Sequence, residues 1–161
     1  AQKSACPDNP DLVVELNRLW VAPDQPHGTA SWFLARCLKQ MPPKIIISYA
    51  DTAVGHDGTV YRAANFYYAG WTDMDRKTPR CDYVNEESVT DLFGTRVIKK
   101  HDRHVDRPNA ARVRRKPKAR YWTVTGTKRD KKRLRGACGW PIMDWNAEPV
   151  PTEHKKREAG E

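Results

Sequence analysis

The chain has 161 residues, 39% of them hydrophobic, and carries 29 Lys and Arg against 20 Asp and Glu for a formal net charge of +9. That length suits one domain around one core and argues against two, and no stretch approaches the length of a membrane span or has the apolar core of a signal peptide. Cys6, Cys37, Cys81 and Cys138 form no C-x-x-C pair, a pattern that reads as reduced thiols in a cytosolic protein and excludes a zinc knuckle or a disulfide framework.

Residues 1–10 are polar, with two prolines, and read as an irregular lead-in. Residues 12–21, LVVELNRLWV, predict a strand with one wetter face. After APDQPHGTA a helix begins, with Thr29 or Ser31 as its N-cap and an apolar stripe of Phe33, Leu34, Cys37, Leu38 and Met41 that Pro42-Pro43 ends. Ile45-Ile46-Ile47 runs into Ser48-Tyr49-Ala50-Asp51 as a buried strand, and a loop containing Gly55 and Gly58 leads into a second helix. On that helix Tyr61, Asn65 and Tyr68 fall at i, i+4 and i+7 on one stripe, with Ala63, Phe66 and Tyr67 on the other face. Strand, helix, strand, helix in this order predicts a right-handed βαβ unit and an α/β or α+β sheet core.

Residues 73–94 read as a long loop with one helical turn near 86–92, residues 96–98 as a short strand, and residues 101–118 as a basic segment. Residues 119–125, ARYWTVT, have strong strand character. A turn at Gly126-Thr127 then opens a short, very basic helix over 128–135, too short to have an apolar face. Trp140, Ile142, Met143 and Trp145 are expected to fold back onto the core. One domain spans 1–148, and 149–161 form a disordered tail.

The positive charge is unevenly placed: residues 96–135 hold 17 Lys or Arg and three acids, Asp102, Asp106 and Asp130. A field of one sign points to a polyanion, most often nucleic acid, against the plainer reading of a solvated basic surface. Arg112, Arg114, Arg115, Lys116, Lys118 and Arg120 straddle a loop and a strand start, while Lys128, Arg129, Lys131, Lys132, Arg133 and Arg135 load one helix. Trp122 and Trp140 lie nearby in the chain and suit either base stacking or the core. His101 and His104 with Asp102 and Asp106 are read as solvated charges more readily than as metal ligands.

Ligands of open α/β sheets sit outside the carboxyl ends of strands, which directs attention to Tyr49, Asp51 and His56. Asp51 is a candidate base, or else a turn former. Tyr49, Tyr61 and Tyr68 donate hydrogen bonds or stack, or else fill the core. Asn65 offers one acceptor and one donor to an adenine edge. His56 is a proton shuttle, a metal ligand together with Asp51 and a tyrosine, or a structural residue.

Gln25-Pro26-His27-Gly28-Thr29-Ala30 resembles the phosphate-gripping turn of GNAT acyltransferases, Gln/Arg-x-x-Gly-x-Gly/Ala. There a glycine lets backbone N–H groups turn toward a pyrophosphate at a helix N-terminus; Pro26 removes one such donor, and an ordinary capped turn reads equally well. ELNRLWV, SYAD, Gly55-His56-x-Gly58, Tyr61-x-Ala63-x-Asn65, Tyr68-x-Gly70 and RYWTVTGTKRDKKRLR occur in order over residues 15–145 and together resemble the Mom family of phage DNA-modifying proteins.

That resemblance implies a GNAT-like mixed sheet flanked by helices. It also implies an enzyme of the bacterial host cytoplasm that adds a carbamoylmethyl (acetamido) group to N6 of adenine in double-stranded DNA, shielding it from restriction. A complete domain of this kind carries two helices and about three strands ahead of the strand at Leu12. Only eleven residues stand there, so N-terminal strands of the fold are expected to be missing.

The product's methylene-bonded nitrogen excludes plain acetyl transfer, which leaves an amide. Two routes remain. In one, a glycyl group from a donor such as glycyl-tRNA is transferred and its amine then displaces the amide at C6. In the other, a metal ion activates the methyl of an acetyl-CoA-type donor. Alternatives are an acetyl-CoA-dependent N-acetyltransferase acting on a small amine or a protein, and a nucleic-acid-binding module without chemistry. The oligomeric state is left open.

Overall fold

Ile45, Ile46 and Ile47 are all at most 2% exposed, as an uninterrupted apolar run demands of a strand covered on both faces. The computed structural model in which they lie describes residues 1–52, 55–73, 81–84, 90–91, 94–95, 111–114 and 116–145. In chain order its elements are α1 (Gln2–Ala5), a 3-10 turn (Pro10–Leu12), β1 (Val13–Glu15), α2 (Thr29–Gln40), β2 (Ile45–Ala50), α3 (Thr59–Ala63) and β3 (Tyr67–Trp71). They continue with β4 (Cys81–Val84), β5 (Thr90–Asp91), β6 (Gly94–Thr95), β7 (Ala111–Arg114), β8 (Ala119–Val124) and α4 (Lys128–Ala137).

The main sheet has the order β1-β2-β8-β3. β1 is parallel to β2, and β8 runs antiparallel to both β2 and β3. The fold is therefore mixed α/β, with α2 as the crossover of the expected βαβ unit. β4 pairs with β7, and β5 with β6, in two small antiparallel sheets.

Side chains alternate across the main sheet, as strand geometry requires. Ile45 and Ile47 join Val13, Ala69, Trp122, Val124, Leu134 and Trp140 in one core, with Tyr49 and Tyr67 packed against it. Ile46 and Ala50 join Leu34, Phe66, Tyr68 and Tyr121 in the other, with Tyr61, Trp71 and Trp145 alongside. α4 covers the first face and α2 the second, through Leu134 and Leu34 respectively.

Several expectations are corrected. The strand expected over 12–21 is confined to Val13–Glu15. Leu16 still donates its N–H to the Ile47 carbonyl at 2.8 Å, but beyond it Asn17, Arg18 and Trp20 are exposed and the chain leaves the sheet. The helix expected to carry Tyr61, Asn65 and Tyr68 stops at Ala63. Asn65 then takes a left-handed conformation, φ 59°, which Asn tolerates better than most residues, and the aromatic run Tyr67–Trp71 becomes β3 against β8. Sheet pairing thus overrides the helical spacing.

Gly28 with φ 89°, not Thr29 or Ser31, caps α2. The Thr29 and Ser31 hydroxyls instead donate to the Pro26 and Gly28 carbonyls. Within the loop expected at 73–94, Cys81–Val84 is a strand. Of the helical turn expected near 86–92 the described residues 90–91 form β5, and the strand over 96–98, like the tail over 149–161, lies outside the described residues. Trp140 is buried as expected, whereas Ile142 is 60% and Met143 42% exposed.

Candidate active site

Two loops and a strand start build a cleft of about 530 Å³ on the α4 face of the sheet, just beyond the carboxyl ends of β1, β2 and β3. Its lining includes Glu15, Asn17, Tyr49, Thr72, Lys118, Arg120 and Trp140. The position follows from topology: the three mutually parallel strands end together, and β8 begins there with Lys118 and Arg120. Tyr49 and Arg120 are direct partners across β2 and β8.

Aromatic and cationic groups form the wall. Tyr49 meets Trp140 edge-on, with centroids 5.9 Å apart and planes at 70°. The Arg120 guanidinium lies 5.3 Å from the centre of the Trp140 ring, and the Trp140 indole N–H donates to Ser4 Oγ at 3.1 Å. At the rim the Lys118 ammonium is 2.8 Å from Asp51 Oδ2. The Arg120 Nε–H is buried and has no acceptor among the described residues, an arrangement that native structures seldom leave without a reason.

The opposite face holds a different constellation. Tyr61 and Tyr121 stack at 4.9 Å, and Tyr121 stacks in turn on Trp145 at 4.9 Å. Ser48 Oγ is 2.8 Å from the Tyr61 hydroxyl and 2.9 Å from the Leu16 carbonyl. With a single O–H, Ser48 donates to the carbonyl and accepts from Tyr61. Burial, reinforced by Tyr68, Asp57 and Tyr61, pushes the Tyr121 hydroxyl up to about 12, and burial also raises Tyr68. These phenols stay protonated at neutral pH.

Beside this column lies a second pocket of about 250 Å³, lined by residues including Leu19, Ala30, Gly55, His56, Gly58 and Tyr61. Asp57 shapes its loop by accepting from the Thr59 N–H at 2.9 Å and hydroxyl at 2.7 Å, bonds that hold its carboxyl below the usual range.

The structure therefore divides the residues singled out in the sequence. Tyr49 lines the cleft and Asp51 reaches its rim through Lys118. His56, Tyr61 and Ala30 gather at the pocket on the other face, and Tyr68 packs there in the core against Tyr121 and Trp145. Asn65 lies in neither place: it borders a third hollow with Thr123, Thr127 and Lys131, where its carbonyl accepts from the Thr123 hydroxyl. Gln25 and His27 are exposed in the turn before Gly28, and the Gln25 amide reaches the neighbouring Asp24 at 3.4 Å.

The residues of that turn fit a phosphate-bearing donor in one respect. Gly28 caps α2 without a side-chain acceptor and with nothing within 4 Å of where a Cβ would be. The Thr29 N–H is already bonded to the Pro26 carbonyl, so the grip would rest on the N–H groups that follow. Among the described residues no group of three or more His, Cys, Asp or Glu is placed to hold a metal ion, and His101 and His104 lie outside them.

Glu15, Asn17 and Thr72 were not singled out in the sequence. Glu15 left a signal nonetheless, as a charged residue directly after the apolar Leu12-Val13-Val14.

Of the basic residues, Lys128, Arg129, Lys131, Lys132, Arg133 and Arg135 are exposed along α4. The helix does have an apolar contact, since Leu134 is fully buried, and a reciprocal Thr127–Asp130 capping box closes its start. α4 lies on the cleft's side of the sheet, and only Cys138 and Gly139 separate its end from Trp140. Lys118 and Arg120 belong to the cleft. Arg112 and Arg114 fall in β7, and Arg115 lies outside the described residues.

Fold and cleft together define a mixed α/β protein with a polar, aromatic-walled cleft at its strand ends and a cationic helix on the same face. The chain belongs to the Mom protein family, which matches residues 1–140. Membership places it among proteins of phage DNA modification, with DNA as substrate. No curated protein matches the chain significantly. Among the described residues no helix is long and apolar enough to cross a membrane.

Proposed function

We propose that this chain is a GNAT-like transferase that adds a carbamoylmethyl group to N6 of adenine in double-stranded phage DNA, protecting it from restriction. The observation that carries the reading is the shared face of α4 and the cleft, joined through Trp140. Phosphates along α4 relieve the repulsion among its closely spaced cations. A base inside a duplex cannot reach such a cleft, so the adenine is extruded and meets the aromatic wall of Tyr49 and Trp140.

In this reading Asp51, 2.8 Å from the Lys118 ammonium, accepts the proton that N6 loses. Tyr49 and Arg120 donate hydrogen bonds to charge that develops on the transferred group. The donor enters from the other face with its phosphate at Gly28, Thr29 and Ala30. Its reactive end passes His56 at the end of β2, where the His56 N–H donates to the Asp51 carbonyl, to reach the adenine beside Asp51. An acyl donor such as glycyl-tRNA or acetyl-CoA would supply the activated carbon. A basic protein holding two nucleic acids suits the former.

Mass spectrometry of nucleosides from plasmid DNA, after expression of the protein in its longest natural form in bacteria, tests the proposal. The expected product is an adenosine heavier by the carbamoylmethyl increment. Unmodified adenine from folded, DNA-bound protein overturns it in favour of a binding module.

A further inference from the structure

We infer that Ile142 is the wedge that enters the duplex where the adenine leaves it, held for that task between the cationic helix and the cleft. The inference rests on the function proposed above. Pro141, Ile142 and Met143 form an exposed apolar run directly after Trp140, with Ile142 60% and Met143 42% exposed. A single exposed apolar side chain is ordinary. Here, however, the backbone on both sides of Ile142 is tied down: the Trp122 indole N–H donates to the Pro141 carbonyl at 3.1 Å, and the Met143 N–H donates to the Tyr68 carbonyl at 2.8 Å. Ile142 is presented to solvent from a fixed base rather than from a free loop.

Its place along β3 gives that exposure a use. At the start of the strand Arg135 of α4 donates to the Tyr67 hydroxyl at 3.4 Å, and Tyr68 carries the bond to Met143. Further on, a Cβ at Gly70 would lie 2.9 Å from Met143 Sδ and 3.7 Å from Arg120 Nη2, so the thioether and the guanidinium share the space over this glycine. Thr72, just past the strand, lines the cleft together with Arg120. From helix to cleft the order is therefore Arg135, the apolar run, and then Arg120 and Thr72.

A duplex whose phosphates follow α4 meets this run on its way to the cleft. Extruding a base leaves a gap in the stack, and the duplex closes it by taking the base back unless something fills it. An apolar side chain fills the gap without leaving a hydrogen bond unmade, and Ile and Met are among the residues that serve as wedges. Ile142 is the more exposed of the two and enters the stack, while Met143 anchors it over Gly70.

Permanganate footprinting of plasmid DNA bound by the full chain tests the inference. The reagent oxidises thymines that have lost their partner, so it finds the base opposite an extruded adenine whatever the sequence context. The unaltered protein is expected to create reactive thymines. Ile142→Ala is expected to lower their reactivity about tenfold, the scale of an unstacking step left uncompensated. Its DNA affinity by filter binding and its urea midpoint are expected to stay unchanged, and Ile142→Leu, which keeps the apolar bulk, to restore the reactivity. Unchanged reactivity in Ile142→Ala overturns the inference, as does a fall in affinity large enough to account for the loss, which would make Ile142 a plain contact.

The nucleoside assay separates this result from the wider reading. Undiminished modified adenosine from Ile142→Ala retains the function and removes the wedge. Reactive thymines that depend on Ile142, in DNA without modified adenosine, retain the wedge and remove the chemistry.

Discussion

The ammonium of Lys118 lies 2.8 Å from the carboxylate of Asp51, across the gap between the end of β2 and the start of β8. The contact ties the loop after β2 to the strand that brings Arg120 into the cleft. Both side chains remain partly exposed, 40% and 29% respectively. Solvent screening therefore keeps the contribution of the pair to stability small.

Asp51→Asn removes the proton acceptor while keeping shape and hydrogen bonding. Modified adenosine in plasmid DNA should fall by about 100-fold or more, the usual scale for loss of a general base, with DNA affinity in a filter-binding assay unchanged. Loss of binding in step with modification would make Asp51 a structural residue.

If phosphates lie along α4, log Kd should vary linearly with log salt. Each of Lys128→Ala, Lys132→Ala and Arg129→Ala that removes a phosphate contact should reduce the slope by about 0.9. Unaltered slopes in all three would move the DNA path elsewhere. Leu134→Ala, which strips the helix of its buried anchor, should cost about 2–5 kcal/mol in urea unfolding.

Gly58 has φ +83°, and a Cβ there would overlap the ring and hydroxyl of Tyr121. Gly58→Ala combines left-handed strain with displacement of a packed aromatic, so a loss of about 2–4 kcal/mol is expected from chemical denaturation. Gly55 has a similar φ of +80° but open space around it. Gly55→Ala should cost only the backbone strain, about 1 kcal/mol, and the difference between the two measures the Tyr121 contact.

Tyr121 should resist ionisation. Its hydroxyl is pushed up to about 12 in the folded protein, chiefly by burial, from an ordinary value of 10.0. A group whose value is raised on folding contributes stability that is complete below the unfolded value and is lost as pH climbs through the folded one. Between about pH 10 and 12 the fold should therefore lose stability, and a Tyr121→Phe protein should lose less. A carbon-detected tyrosine titration placing Tyr121 near 10 would remove the effect.

The same sign argument run in reverse applies to α4. Thr127 hydrogen bonds hold the Asp130 carboxyl below 3.8. The cap is complete above the unfolded value and fails as pH falls through the folded one, so far-UV helicity should drop in acid ahead of global unfolding.

Local signals in the chain were enough for the elements that announce themselves by composition. Ile45-Ile46-Ile47 declared a strand buried on both faces. The stripe ending at Pro42-Pro43 declared α2, and Gly126-Thr127 before a cationic run declared α4, because caps, breakers and apolar runs act over a few residues. The mixed α/β class and the membership in the Mom family were legible for the same reason.

Tertiary structure decided the rest. Tyr61, Asn65 and Tyr68 have the spacing of one helical stripe, yet β8 recruits Tyr67–Trp71 as a strand, and long-range pairing between residues about fifty positions apart leaves no local trace. The faces were hidden as well. Tyr49 and Tyr61 both looked like site residues, but alternation along β2 sends Tyr49 toward Trp140 while Ser48, one residue earlier, turns to Tyr61. The sequence alone determined which side chains could do chemistry. Only the sheet decided which of them meet, because which face a strand residue occupies depends on the partners that fix its register.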